Sequence, residues 1–513
     1  MNGATFEKNM NTLREFHGDL FRIVSLSVGT DSDYARAETS ATGLSVPIFN
    51  DGAASHSLRD PEREAARFAA SIPHDSFVLF GGLAGGYHIR AFLSRDPSAK
   101  CAVFERNAVS LRALLSLADL SDILSDERVA VAVAEPDGFL ASIVSKSYLP
   151  ALSGSFSVQY LRPWKDRFHA PHMEAEIAKI LRAVSADYSV QAHFGRLWLR
   201  NIVENLFMAE TFAPTLPVFD TRKTAIITAA GPSLEDEIAP LGRERDSLVI
   251  FATDTSRGTL SGYGIVPDVY LSVDPQHVST YQAMRPFSAQ TTVLVDLAGN
   301  PHVARRAIRD GASLVYVSGG HPLSDYAASR GFLPPVDASS GTVTLAARSA
   351  ALSMGFRDIR FLGADFRYTG GKPYARGTYL ADGFDSTSDR MVPAESGYSA
   401  LMFRSPVIAR KTGSRVDYHT DVLDRYAAMA AIQPRAVPWP ASTGRPFPAR
   451  AFLADYRESL RSCLGADTPN PRILTTLLPF AAWARNRVPE GQFDIVRAIN
   501  LALELIERYT DTP

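Results

Sequence analysis

A short apolar run, Ala225–Thr228, opens onto Ala229-Ala230-Gly231-Pro232-Ser233 and then onto an acid-rich helix start, Leu234-Glu235-Asp236-Glu237. Strand, small-residue turn and helix N-terminus together present free backbone N–H groups, the geometry that holds a phosphate. Gly231 lets the chain turn tightly and a ligand approach the backbone. Pro232 suits the first helical turn, where its missing N–H costs nothing, and Ser233 adds a hydroxyl. A second turn of this kind, Asp337-Ala338-Ser339-Ser340-Gly341-Thr342, precedes the small-residue helix Val343–Met354. Its hydroxyls and amides suit an anion or a ribose, and two such termini in one domain would clamp the two ends of a nucleotide. Other apolar runs stop on Thr253-Asp254-Thr255-Ser256, Asp274-Pro275, Ser318-Gly319-Gly320-His321 and Gly363-Ala364-Asp365-Phe366. Asp254 or Ser318 alone reads equally as a helix cap; four polar strand ends on one rim point to a binding surface.

The elements that must position these residues alternate from 224 to about 440. Strands read at Thr224–Thr228, Leu248–Ala252, Val269–Val273, Thr292–Asp296, Leu314–Val317 and Ile359–Leu362, with helical segments between them. Such alternation predicts an α/β fold, a doubly wound, mostly parallel sheet with ligands at the carboxyl ends of its strands. A second βαβ signal lies upstream: Ser76–Phe80, the turn Gly81-Gly82-Leu83-Ala84-Gly85-Gly86, a helix from Tyr87 to Ser94, and Cys101–Glu105 ending on an acid. An acid there contacts a ribose in nucleotide-binding folds, but the glycine spacing is imperfect and equally serves close helix–strand packing in a scaffold. We divide the chain into an accessory arm (1–70, with one helix near Phe6–Phe21, a polar loop at Gly43–Asp51 and a second helix capped by Asp60), an N-terminal Rossmann-like domain with long helices (71–212), a central domain (220–440) after the Pro-containing break Ala213–Phe219, and a C-terminal helical region (445–513). Trp198, Ile202 and Leu206 fall on one helical face and read as core.

Bulk properties narrow the class. The chain has 513 residues, 46% hydrophobic and 21% charged, with a net charge of -2, which argues for several buried cores and against a large nucleic-acid surface. Two cysteines far apart, Cys101 and Cys463, exclude a disulfide framework and suit a reducing cytoplasm. No apolar run approaches the roughly 18 residues of a membrane span, and the N-terminal residues lack the pattern of a secretion signal.

The stretch from Ser339 to Gly371, with Ala230–Leu234 and the segment Gly264–Asp268 leading to Asp274-Pro275, resembles the motility accessory factor (Maf) flagellin glycosyltransferases. The Phe80–His88 turn is similar to the N-terminal domain of that group, and the Gly-Pro-Ser motif more distantly resembles bacterial sialyltransferases. The resemblance implies a sialyltransferase-like central sheet. It also implies transfer of a nonulosonic acid (pseudaminic, legionaminic or sialic type) from its CMP-activated form to Ser or Thr hydroxyls of flagellin, in support of flagellar assembly and motility. On it, Gly231, Pro232 and Ser233 hold the CMP phosphate, Ser340, Gly341 and Thr342 the cytidine or ribose, and Asp365 lies near the donor. His419 is the implied base, with His321 its competitor, and Tyr368 and Tyr374 assist the leaving phosphate. Where the sialyltransferases have Asn, this chain has Thr253-Asp254; Asp254, Asp274 and Asp365 then become candidate Mg²⁺ ligands, with caps and sugar contacts as the alternative. Archaeal 6-hydroxymethylpterin pyrophosphokinases, which use ATP and Mg²⁺, share the central domain and supply a second enzymatic reading. A non-catalytic scaffold for flagellar assembly is a third.

Overall fold

Buried parallel strands need apolar side chains on both faces, and the runs near 225, 250, 270, 293, 315 and 360 supply them. The computed structural model describes residues 3–510 except 28, 30, 75, 97–98, 136–137, 169–170, 414, 433–436, 443, 467–468 and 490–491. In chain order its strands are β1 (Tyr34–Thr39), β2 (Ser45–Phe49), β3 (Ser76–Gly81), β4 (Cys101–Glu105), β5 (Val129–Val133), β6 (Ser155–Tyr160), β7 (Thr224–Thr228), β8 (Leu248–Thr253), β9 (Val269–Ser272), β10 (Thr292–Asp296), β11 (Ser313–Val317), β12 (Ile359–Leu362), β13 (Ile408–Thr412) and β14 (Arg415–His419). They divide between two compact units, 1–193 with 481–495 and 194–480 with 496–513. The boundaries between them fall inside three helices, Pro171–Ala209, Leu478–Arg485 and Ile495–Thr510.

The larger unit is built on a six-stranded sheet in the order β11-β10-β9-β8-β7-β12, all parallel. Alternate residues of β7 face opposite layers. Ala225 and Ile227 pack with Ala346, Ala347, Ala350 and Ala351 of the helix Val343–Ser353, while Ile226 packs with Ile238, Leu241 and Leu260 on the other face. This is the expected doubly wound arrangement. The chain runs outward from β7 to β11 and returns to lay β12 on the other side of β7, so the order reverses between β7 and β12. Ligands of open α/β sheets bind at such a reversal, beyond the strand carboxyl ends. The antiparallel hairpin β13–β14 follows, and the expected helical tail is present as Ala449–Leu464, Pro471–Thr476, Leu478–Arg485 and Ile495–Thr510.

The smaller unit holds the parallel sheet β5-β4-β3-β6. Two expectations for its start need correction. The region near Phe6–Phe21 is two helices, Gly3–Phe16 and Gly18–Leu26. The supposed polar loop at Gly43–Asp51 contains β2, whose Val46, Ile48 and Phe49 are buried against the unit's core. The turn glycines there masked an apolar run long enough to pair with β1.

Candidate active site

The turns after β7 and β12 are stitched to each other. The Gly231 N–H donates to Gly363 O (2.8 Å), and the Ser233 N–H donates to the Asp365 carboxylate (3.0 Å). A side chain at Gly363, whose φ is +66°, would press on Ala229 O and the Leu234 side chain. The Gly-Pro-Ser turn therefore has an internal carboxylate where an incoming anion was expected. It leads into only four helical residues, Leu234–Glu237, with three acids among them. Phe366, next to Asp365, adopts a left-handed φ of +47°, a strained geometry for a side chain of that size.

The second small-residue turn is open. Thr342 begins the 11-residue helix Val343–Ser353 without capping it through its side chain, and no acid lies in the first turn. Its leading amides thus form the positive end of a helix dipole, and the acid of the turn, Asp337, is engaged by Ser339. Gly341 is left-handed at +74°. Ser340 Oγ and Thr342 stay within the turn, whereas Ser339 is turned back onto Asp337.

His419 ends β14, two residues before the helix whose Tyr426 reaches this turn. Its Nδ1 pairs with Asp424 Oδ1 at 2.7 Å, and Arg410 holds the other oxygen of Asp424 at 2.8 Å. The His419 hydrogen bond, with Arg410 adding, keeps the Asp424 carboxyl below its ordinary range. Thr420 caps the helix Asp421–Ala431, and Tyr426 of that helix donates to Gly341 O (3.1 Å). Tyr368 joins β14 through two backbone bonds with Tyr418. Beyond it the chain folds over the β7 turn, with Ala375 N–H to Ala230 O (2.9 Å), Arg376 N–H to Glu235 (2.9 Å) and Lys372 to Glu235 (3.3 Å). This carries Tyr374 inward. Burial raises its phenol above the ordinary range, and the charges of Tyr368, Arg404, Asp254 and Tyr426 all act on it.

Asp254 follows β8 almost fully buried, 4% exposed, and accepts from the Thr255 N–H (2.8 Å). Burial pushes its carboxyl up to about 7, and nearby Asp274 adds to the rise. Asp365 is engaged elsewhere, and among the described residues no three acids, histidines or cysteines come together as a metal site. The candidate set Asp254, Asp274 and Asp365 is therefore not brought together as one ligand group.

Other expected contacts are internal. Thr253 Oγ1 donates to Thr228 O (3.0 Å) within a buried hydroxyl cluster with Ser256. Ser318 Oγ donates to Asp325 (2.6 Å). His321 Nδ1 caps its own helix at Leu323, and burial pulls its imidazole down to about 3. An imidazole so weakly basic, packed on Trp198, is a structural cap. In the smaller unit, the Glu105 carboxylate accepts from the Leu83 and Ala84 amides, Tyr34 and Trp164, and Gly82 lies against the Trp164 ring. Neither the acid nor the turn is free for a ribose. Residues that the sequence did not single out are Asp424, Arg404 and Tyr426. Only Asp424 had a local signal, four residues beyond the Thr420 cap.

Comparison with known proteins is consistent with this geometry. Residues 198–371 match a family described as 6-hydroxymethylpterin diphosphokinase MptE-like. Two Treponema pallidum (strain Nichols) proteins, each described only as an uncharacterized protein, are 39% identical to the chain. One match spans 226 residues (44% of this chain, 78% of the relative) and the other 184 residues (35% and 87%). The structure of the Maf glycosyltransferase from Magnetospirillum magneticum AMB-1 superposes with a TM-score of 0.55 at 15% identity, over 99% of this chain and 91% of that one. The fold that the motif resemblance implied is thus the fold observed.

Proposed function

The chain belongs to one family with the two Treponema pallidum proteins and has the fold of the Maf glycosyltransferase, and on that footing we propose that it is a glycosyltransferase moving a nonulosonic acid from CMP to a Ser or Thr hydroxyl of flagellin. The observation that carries this reading is the convergence of the open Ser340–Thr342 turn, the His419–Asp424 pair and the Tyr368–Tyr374 loop.

The phosphate of CMP takes the N-terminus of the helix Val343–Ser353, where amides and dipole meet it with no acid in the first helical turn. This reassigns the phosphate from Gly231–Ser233, whose role becomes holding Asp365 and the loop above. As the bond from the sugar carbon to phosphate oxygen breaks, its electron pair stays on CMP. The helix terminus and the protonated Tyr374 phenol stabilise that charge. The acceptor hydroxyl oxygen bonds to the oxocarbenium-like carbon, and its proton passes to His419 Nε2. Asp424 fixes the ring with Nε2 as the acceptor and steadies the imidazolium that forms.

His419→Ala should lower transfer about 10²–10⁴-fold while CMP still raises the melting temperature. The direct test is the intact mass of flagellin from cells carrying wild-type protein, His419→Ala, or neither. A flagellin mass equal in all three removes the proposal. The MptE-like match supports a second reading, an ATP-dependent diphosphokinase; a melting temperature raised by ATP and not by CMP would favour it.

A further inference from the structure

A cleft of 740 Å³ lies beyond the ends of β8 and β9, within the range of specific ligand sites. Asp254, Thr255 and Gln282 line it with Tyr281, Met284, Tyr379, Leu380 and Phe384. Its apolar groups face solvent openly: Tyr281 is 51% exposed and Met284 62%. The Tyr281 and Tyr379 rings lie nearly parallel, 15° apart. Gln282 Oε1 is buried with no hydrogen-bond partner among the described residues, while its amide nitrogen is held by Thr255. Arg285, the cation in the wall, is engaged by Asp382 (3.5 Å) and by Gly258 O (3.1 Å).

This chemistry disfavours the donor. A CMP-nonulosonate carries a phosphate and a carboxylate, and the wall meets them with the Asp382 carboxylate beside an Arg285 that it already engages. Like charges at short range cost binding, and a buried acceptor left unpaired costs more. What fits is a group that donates hydrogen bonds, brings apolar surface and carries no negative charge. Tyr374 lies within electrostatic reach of Asp254 in the cleft wall and of Tyr368 and Tyr426.

Resting on the glycosyltransferase reading, we propose that this cleft is the acceptor subsite, taking an uncharged or basic peptide segment whose Ser or Thr is flanked by apolar side chains. Backbone N–H groups of the segment satisfy Gln282 and Asp254, and its apolar side chains cover Tyr281, Met284 and Phe384.

The test uses the full chain with CMP-sialic, CMP-pseudaminic and CMP-legionaminic acids in parallel. The acceptor probes are a capped pentapeptide with threonine between leucine and valine, and its twin with aspartates as flanks. Peptide binding is measured by calorimetry without donor, and CMP release with and without peptide. The neutral peptide should bind and the acidic twin should not. Gln282→Ala and Met284→Ala should each raise the KM for peptide about tenfold, leaving the donor KM and acceptor-independent CMP release unchanged. A donor KM that rises instead, or equal binding of both peptides, overturns the assignment while leaving the reaction standing. Peptide binding that both variants weaken, with no CMP released from any donor, leaves a peptide site and removes the glycosyltransferase reading.

Discussion

His419 has one ring nitrogen committed and the other available, and a single carboxylate decides which is which. Asp424 lies on the first turn of the following helix, and its own second oxygen is fixed by Arg410. Asp424→Asn keeps the shape of this arrangement but removes the counter-charge and permits the wrong tautomer. Transfer should fall about 10²-fold or more. Melting temperature should change little, because Asp424 is a surface group. Unchanged transfer with a lowered melting temperature would mean that the pair only holds the helix in place. The pairing was half legible in the sequence. Thr420-Asp421 announces a helix start after His419, but nothing in the polar run Arg415–His419 announces a strand, so the direction of the imidazole was not.

At the scale of elements, the two small-residue turns look alike in sequence and differ in what fills them. Asp365 fills the first; the second faces outward with an uncapped helix of 11 residues behind it. Thr342→Asp would supply the missing carboxylate. It should stabilise the larger unit by about 0.5–1 kcal/mol as an N-cap and helix-dipole partner and weaken CMP binding at the same time. Urea midpoints and CMP titrations read these effects separately, and opposite signs distinguish a ligand site from a packing site. The six strands of this sheet could be read because buried parallel strands are continuous apolar runs. The hairpin β13–β14 could not, since Ile408-Ala409-Arg410-Lys411-Thr412 is too polar to signal a strand and takes its partner from tertiary placement. Which turn would be filled from within was equally hidden, because Ser233 and Asp365 are separated by more than a hundred residues.

At the scale of the whole chain there are two Rossmann-like sheets and, on our reading, one nucleotide site. CMP at a hundredfold excess over Kd should stabilise the larger unit by about 2.7 kcal/mol. Hydrogen exchange should slow near β7, β8 and the helix Val343–Ser353 and stay unchanged across β3–β6; slowing in β3–β4 would mean that the Gly81–Gly86 turn also binds. The smaller unit has a different dependence, on protons. Burial raises Glu105 from 4.5 to about 7 against four hydrogen-bond donors, so the folded unit keeps a proton that the unfolded chain has released. That contribution is complete below about pH 4.5 and is lost as pH rises through about 7. Glu105→Gln should flatten this slope, and it should cost about 1–3 kcal/mol at low pH because one of the four donors then meets an amide N–H. The Trp164 indole N–H rests on this carboxylate at 3.0 Å, and the ring is fully enclosed. The smaller unit therefore carries its own spectroscopic reporter. The nitrogen-15 indole resonance of Trp164 should titrate near neutrality and remain indifferent to CMP, giving an observer one signal for the ionisation of a carboxylate that solvent never touches.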